Sequence, residues 1–275
     1  MLTSKFNHIL LLAKEKTNLD NQLSTVAACL GNKSFYLEED HHQVNFKYEV
    51  YQKQPLDLVI TLGGDGTIMK AARKFGPLNI RLIGINLGRV GFLTDFEMDT
   101  CWEELPKLIN DHNSFIEKRE IFSLTYDGDK SDIFVNDFVG SAIARKLEKF
   151  ILKINDQFVY EQYADGIIIS TPTGSTAYSL ASGGAILQPD SKSLIVTPIC
   201  PQALSNRPIV INNNSKIELL TPSGENQFFI DGLRSPSLSA PNKFIITKSN
   251  YYWSIIHSKQ YNYYQNLRSK LNWTK

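Results

Sequence analysis

Apolar residues recur along the chain with two different periods, and the change between them divides it into two halves. In the first half, short β-branched runs alternate with stretches of helical spacing. Ile9–Leu12 reads as a strand, and Leu19, Leu23, Val26, Ala27 and Leu30 make one helical face. Leu58, Val59, Ile60 and Leu62 form an apolar run of the kind found in a buried parallel strand. Ile68, Ala71, Ala72 and Phe75 then recur at helical spacing, and Leu82–Ile85 returns to a strand. Trp102, Leu105, Leu108 and Ile109 mark a further helix, which Pro106 is expected to bend. This alternation predicts a parallel sheet with crossover helices and a ligand crevice beyond the carboxyl ends of its strands. From about Lys118 the runs become short, β-rich and separated by turn residues, as in "IFSLTYD", "FILKINDQFVYEQYA", "DGIIIST", "SLIVTPI" and "QFFIDG". Asn155-Asp156-Gln157 is one such turn, and the spacing predicts an all-β, sandwich-like domain. The expected organisation is an α/β domain over residues 1–117 and a β-rich domain over 118–255, with the tail 256–275 folding back onto the first.

The strand at Leu58–Leu62 breaks at Gly63-Gly64-Asp65-Gly66-Thr67, immediately before the helical pattern. Glycines permit positive φ and close backbone approach. A helix N-terminus adds unpaired N–H groups and a positive dipole end, so the segment is suited to an anion such as phosphate. Asp65 does not belong in the wall of a phosphate cradle, because it would repel the ligand. A base or a metal contact explains it better.

"YADGIIISTPTGSTAYSLASGGAIL", Tyr163–Leu187, offers small hydroxyl residues from Ser170 to Ala177, and Tyr178 adds a ring able to stack on a base. Such a loop suits a polar ligand lying against backbone. Asn136-Asp137 places two polar residues inside an apolar, strand-like run. "GINLGRVGFLTDF" ends a strand with Asn86, Gly88 and Gly91, but it lacks the second glycine of the dinucleotide fingerprint.

Bulk properties narrow the class. A chain of 275 residues with net charge +1 and scattered basic residues has no electrostatic footprint for nucleic acid or an anionic membrane. No apolar run approaches the roughly 20 residues of a bilayer span, and Ile9–Ala13 is too short for a signal h-region. Cys29, Cys101 and Cys200 are far apart and odd in number, which fits reduced thiols in a cytoplasmic protein. His41-His42 reads as a solvated loop, and His8, His112 and His257 have no partner at ligand spacing, so no zinc site is expected.

Taken in order and spacing, Gly63-Gly64-Asp65-Gly66-Thr67, Asn136-Asp137 and Asp165 through Gly184 resemble the bacterial NAD kinases. "NLGRVGFLTD" and "PICPQALSNRPIVI" match further family segments, so the resemblance extends from Asp57 to Gly232. The glycine–aspartate motif is shared with diacylglycerol kinases, sphingosine kinases and phosphofructokinases. The Thr-Pro-Thr-Gly-Ser-Thr-Ala-Tyr block is more diagnostic. The resemblance implies transfer of the γ-phosphoryl of ATP, or in some members polyphosphate, to the 2′-hydroxyl of the adenosine ribose of NAD.

It also implies roles. Asp65 would be the general base, and Gly63, Gly64, Gly66 and Thr67 would face donor phosphates whose charge Mg²⁺ offsets. Asn136 and Asp137 would hold the adenosine part of NAD, with Phe92 and Leu93 near the adenine. Thr173, Ser175, Thr176, Ala177 and Tyr178 would line the same site, with Asp165 toward the nicotinamide. A homo-oligomer, dimer or tetramer, is implied as well. Relatives often carry Ser where this chain has Ala181, and Glu where it has Asp137. A lipid kinase sharing the glycine loop, or a non-catalytic NAD(P) sensor, are the competing readings.

Overall fold

The structure, a computed structural model, describes residues 6–14, 19–39, 43–88, 91–110, 115–128, 130–143, 146–222, 226–235 and 242–273. His41, His42, His112, Arg89 and Val90 lie outside the described residues, as does the side chain of Trp102. The chain forms two compact units, Met1–Lys118 with Trp253–Lys275, and Arg119–Tyr252.

The first unit contains β1 (His8–Ala13), α1 (Asp20–Leu30), β2 (Ser34–Leu37), β3 (Tyr48–Val50), β4 (Leu58–Leu62), α2 (Asp65–Phe75), β5 (Arg81–Asn86), β6 (Phe96–Glu97) and α3 (Cys101–Asn110). Its strands run parallel in the order β3-β2-β1-β4-β5. Ser254 and Ile255, in a later strand, extend this sheet by pairing in parallel with Arg81 and Leu82. β4 is buried at all five positions, as a central parallel strand covered on both faces requires. The apolar face of α1 packs on this sheet through Leu23, Val26, Ala27 and Leu30, beside Leu105, Leu108 and Ile109 of α3. Pro106 sits inside α3, which stays one helix although Pro has no N–H to give residue 102. The strand order changes direction between β1 and β4, so the loop after β4 lies at the switch point where open α/β sheets bind ligands.

Two features depart from expectation here. β2 and β3 were not foreseen, because "SFYL" and "YEV" are short and lie among polar residues at the sheet edge. α2 begins at Asp65 rather than beyond Thr67, so Asp65, Gly66 and Thr67 of the glycine motif lie in its first turn.

The second unit continues with β7 (Ile116–Tyr126), β8 (Lys130–Phe134), β9 (Asp137–Ala142), β10 (Glu148–Ile154), β11 (Gln157–Ala164), β12 (Gly166–Ser170) and the short α4 (Tyr178–Ala181). β13 (Ser193–Ile199), β14 (Ile209–Asn212), β15 (Ile217–Thr221), β16 (Asn226–Ile230), β17 (Leu233–Arg234) and β18 (Asn242–Ile256) follow, and α5 (Tyr263–Leu271) closes the chain in the first unit. One antiparallel sheet has the order β14-β13-β12-β9-β16-β17. Against it lies a second antiparallel layer in which β10 pairs with β11 and β15, and β15 with the first residues of β18. Alternate residues of both layers, such as Ile167, Ile169 and Phe228 on one and Phe150, Leu152 and Phe244 on the other, fill a common core. This is the sandwich that the alternating pattern predicted. Asn155 and Asp156 make the β10–β11 turn with φ of 52° and 63°, the left-handed pair a two-residue hairpin needs.

Asn136-Asp137 corrects one reading. The pair does not interrupt a single strand but stands where β8 ends and β9 begins, in the other sheet. All three cysteines are free thiols, and among the described residues no helix is long and apolar enough to cross a membrane.

Phe228 is fully buried, stacked on Phe138 at 6.0 Å and tilted against Phe244 at 4.6 Å between ring centroids. Phe228→Ala is therefore expected to cost about 3–5 kcal/mol of unfolding free energy, measured by denaturant titration. A loss below about 1 kcal/mol would show that the ring is not where the sandwich is held together.

Candidate functional site

In the first unit the chemistry gathers at Asp65, the first residue of α2. Its two carboxylate oxygens accept from the main-chain N–H groups of Phe92 (2.8 Å, Oδ2) and Leu93 (3.0 Å, Oδ1), and the hydroxyl of Thr94 lies 3.3 Å from Oδ1. Asn86, at the end of β5, fixes that hydroxyl by donating from Nδ2 at 3.0 Å. A Cβ on Gly91 would run into the Asp65 carboxylate, so glycine is required there by close approach. Gly63 is buried, donates to the Ile85 carbonyl at 2.9 Å, and has Thr67 where its own Cβ would be. Gly64 and Gly66 are exposed, and a Cβ on either would meet nothing within 4 Å. None of these three adopts positive φ. Their contribution is therefore bare main chain at the start of a helix, not left-handed backbone. Thr67 is buried in that first turn. Lys14, which follows β1, donates its N–H to Leu62 and stands beside Gly63.

In the second unit a separate constellation is built around Asp231. Its carboxylate accepts from three consecutive amides, Val135 (3.1 Å), Asn136 (2.6 Å) and Asp137 (3.1 Å), while its own N–H returns to the Asp137 carbonyl at 2.9 Å. The turn is clamped from the other side by Thr171, whose N–H meets Asn136 O and whose hydroxyl donates to Val135 O at 2.7 Å. Gly174 packs so closely on the Asn136 carbonyl that no side chain fits. The result is a cavity of about 440 Å³ onto which Asn136, Asp137, Ala177, Tyr178 and Asp231 open, with Phe229 on its apolar side. That volume suits a small organic ligand. Tyr178 is 47% exposed, so its ring is available for stacking and is not in the core. Asp137 is only 3% exposed; burial raises its pKa first, and the negative charge of Asp231 adds to it, bringing it from 3.8 to about 7.

The remaining expected residues divide by accessibility. Ser175 is buried, its hydroxyl donating to Pro172 O at 2.7 Å and accepting from Leu187 N at 3.0 Å. Thr173 is buried and accepts from Arg119 Nη1 at 3.2 Å. Both shape the loop from beneath. Thr176 is partly exposed and Ala177 exposed. The Leu93 side chain is buried and Phe92 partly so; what these two present to Asp65 is main chain. Asp165 is exposed at the start of β12, away from the Ser170 end where Asp137 pairs, and does not line the cavity. Ala181 is exposed. Sequence reasoning named Gly91 without its contact to Asp65, and passed over Thr94, which also meets Asp65, and Asp231. The Asp-Gly after "QFFI" carried a turn signal, but nothing local marks it as the clamp of a segment about a hundred residues earlier.

Comparison with known proteins bears on both units. Residues 6–113 match the family described as the ATP-NAD kinase N-terminal domain, and residues 139–258 match the ATP-NAD kinase C-terminal domain. Among curated relatives, the NAD kinase of Chromobacterium violaceum is 40% identical over 225 residues, covering 79% of this chain and 76% of that protein. The NAD kinase of Buchnera aphidicola subsp. Schizaphis graminum is 40% identical over 80% of this chain and 77% of its own. Two solved structures share the fold. The yeast NADH kinase in complex with NADH superposes with a TM-score of 0.87 at 19% identity, covering 100% of this chain and 92% of that one. The Archaeoglobus fulgidus NAD kinase in complex with ATP gives 0.75 at 21%, covering 98% and 100%.

The raised Asp137 pKa has a sign that can be checked. Folded Asp137 keeps its proton up to about pH 7, whereas the unfolded residue loses it near 3.8. Between these values the folded state binds more protons, so the residue's contribution to stability falls as pH rises through that window. Asp137→Asn, uncharged throughout, is expected to gain on the wild type in denaturant melts as pH rises from about 4 to about 8. A difference that stays flat over this range would remove the assignment.

Proposed function

The chain belongs to the ATP-NAD kinase family, and on that premise we propose that it transfers the γ-phosphoryl group of ATP to the 2′-hydroxyl of the adenosine ribose of NAD, giving NADP. The observation that carries the chemistry is the placement of Asp65: a carboxylate fixed by two amides beside two exposed, side-chain-free residues at the start of a helix.

Phosphoryl transfer passes through a loose transition state, so most of the catalytic work is positioning and charge stabilisation. The exposed main chain of Gly64 and Gly66, with the N-terminal end of α2, supplies donors and a positive dipole end for the donor phosphates. Asp65 acts as general base, taking the proton of the ribose hydroxyl as its oxygen bonds to the γ-phosphorus and the bond from that phosphorus to the β–γ bridging oxygen breaks, releasing ADP. The Phe92 and Leu93 amides hold its carboxylate still and offset part of its charge. Among the described residues no group of three or more His, Cys, Asp or Glu side chains is arranged to hold a metal ion. As the family resemblance implies, Mg²⁺ would be carried mainly on the ATP phosphates and would offset donor charge there.

The dinucleotide reading rests on the cavity of the second unit. Tyr178 offers a stacking face, Asn136 a side-chain amide, and Asp137 a carboxyl that near neutral pH either donates or accepts. Asp165, at the other end of the five-residue β12, is assigned to the nicotinamide end; a strand of that length spans about 16 Å. A homo-oligomer belongs to the same reading, supported by the exposed rings of Tyr251 and Tyr252.

Purified protein is expected to form NADP from NAD, ATP and Mg²⁺, and to leave diacylglycerol unphosphorylated. Asp65→Asn should keep the far-UV circular dichroism of the wild type and lower kcat by about 10²–10⁴-fold. Turnover near the wild-type value would sink the role of Asp65. NAD binding without NADP formation would instead favour a sensor.

A further inference from the structure

The loop that holds Asp65 is itself held, and the anchor is a buried group that the reaction does not use. His257 is fully buried just after β18. Its Nε2 lies 2.8 Å from Glu117 Oε2 and its Nδ1 lies 3.3 Å from Asp95 Oδ1. The second oxygen of Asp95 accepts the Ser258 N–H at 2.8 Å, so both Asp95 oxygens are tied to the same C-terminal segment. The imidazole stacks on Tyr261, 3.7 Å away between ring centroids, and Phe115 packs beside the pair, 5.7 Å from the imidazole and 6.1 Å from the Tyr261 ring. Asp95 directly follows Phe92, Leu93 and Thr94, the three residues that meet the Asp65 carboxylate. On the other side of that loop, Asn86 grips the Thr94 hydroxyl.

We propose that His257 is a positioning residue for the catalytic carboxylate: through Asp95 it fixes the loop whose two amides set where the Asp65 oxygens stand. The inference rests on the kinase reading for its catalytic consequence, though not for its geometry. A stabilising role alone accounts poorly for the cluster. Burying an imidazole against two carboxylates carries a large desolvation cost, and apolar packing of equal volume would stabilise at least as well. What such a cluster provides is fixed geometry. The groups that face His257 are Asp95, Glu117 and the Tyr261 phenol ring. Burial opposes the imidazolium, but hydrogen bonding to Asp95 and then Glu117 outweighs it, and the net direction of the pKa is upward. The clamp is thus complete at low pH and weakens as pH rises through the folded-state pKa.

The test compares wild type with His257→Gln, which keeps a neutral donor, and with Asp95→Asn, in the full-length chain. Each variant should lose roughly 10–100-fold in kcat with little change in KM for NAD or ATP. The ratio of wild-type to His257→Gln kcat should be largest near pH 6 and shrink as pH rises, because the variant has no imidazolium to lose. Hydrogen exchange supplies a readout independent of turnover. The Phe92 and Leu93 amides should exchange at least about tenfold faster in the variants, while those of Val59 and Ile60 in β4 hold the wild-type rate. Unchanged kcat and unchanged exchange at Phe92 and Leu93 would overturn the proposal. So would a loss of kcat in which β4 exchanges faster in step, since His257 would then be a general structural support. Should the wild type form no NADP, the kinase reading falls, while the exchange measurement still decides whether His257 sets the loop.

Discussion

A negatively charged side chain at the glycine-flanked start of a helix is held in place here by main-chain amides. Asp65 opens a helix whose exposed start suits an anion, and alone it would swing away from one. The Phe92 and Leu93 amides remove that freedom. Much of the first unit follows from keeping them there. Gly91 must lack a side chain, Asn86 must hold Thr94, and β5 must lie directly beside β4 so that the loop after one reaches the turn after the other. Burial of β4 on both faces gives that turn a close-packed support.

The second unit solves a related problem with the opposite polarity. Three consecutive amides from Val135 to Asp137 would be unpaired where the chain passes from one sheet to the other, and the Asp231 carboxylate collects them. The same charge then lies close to Asp137, which is already desolvated, and keeps it protonated into the neutral range. One carboxylate thereby shapes the turn and sets the hydrogen-bonding state of the next.

Period and punctuation made the broad architecture legible. β4 was read to the residue because its buried positions are apolar at all but Thr61, and a turn at Asn155-Asp156-Gln157 because polar residues separate alternating strands there; Gln157 proves to open β11. The edge strands β2 and β3 escaped because three or four residues show no period. The start of α2 was misplaced because a glycine N-cap and a glycine in the first turn look like loop: Gly64 caps that helix with no side chain and Gly66 lies in its first turn. At the candidate site, Asp65, Asn136, Asp137 and Tyr178 stand out in the sequence because their residue types conflict with a purely structural role, and the structure brings Asn136, Asp137 and Tyr178 onto one cavity. Ser175 and Thr173 looked like ligand-facing hydroxyls but are spent on the loop's own carbonyls and on Arg119. The contacts of Asp231, Gly91 and His257 were not legible for one shared reason. Their partners are distant in sequence or are main-chain groups, and neither leaves a local pattern.

The distance from the Asp65 carboxylate to the ribose 2′-hydroxyl of bound NAD tests the account most directly, in a crystal structure of the complex. The account predicts an oxygen of Asp65 within hydrogen-bonding reach, about 2.6–3.2 Å, or one bridging water away. A separation beyond about 8 Å, too far for proton transfer through one solvent molecule, would contradict it.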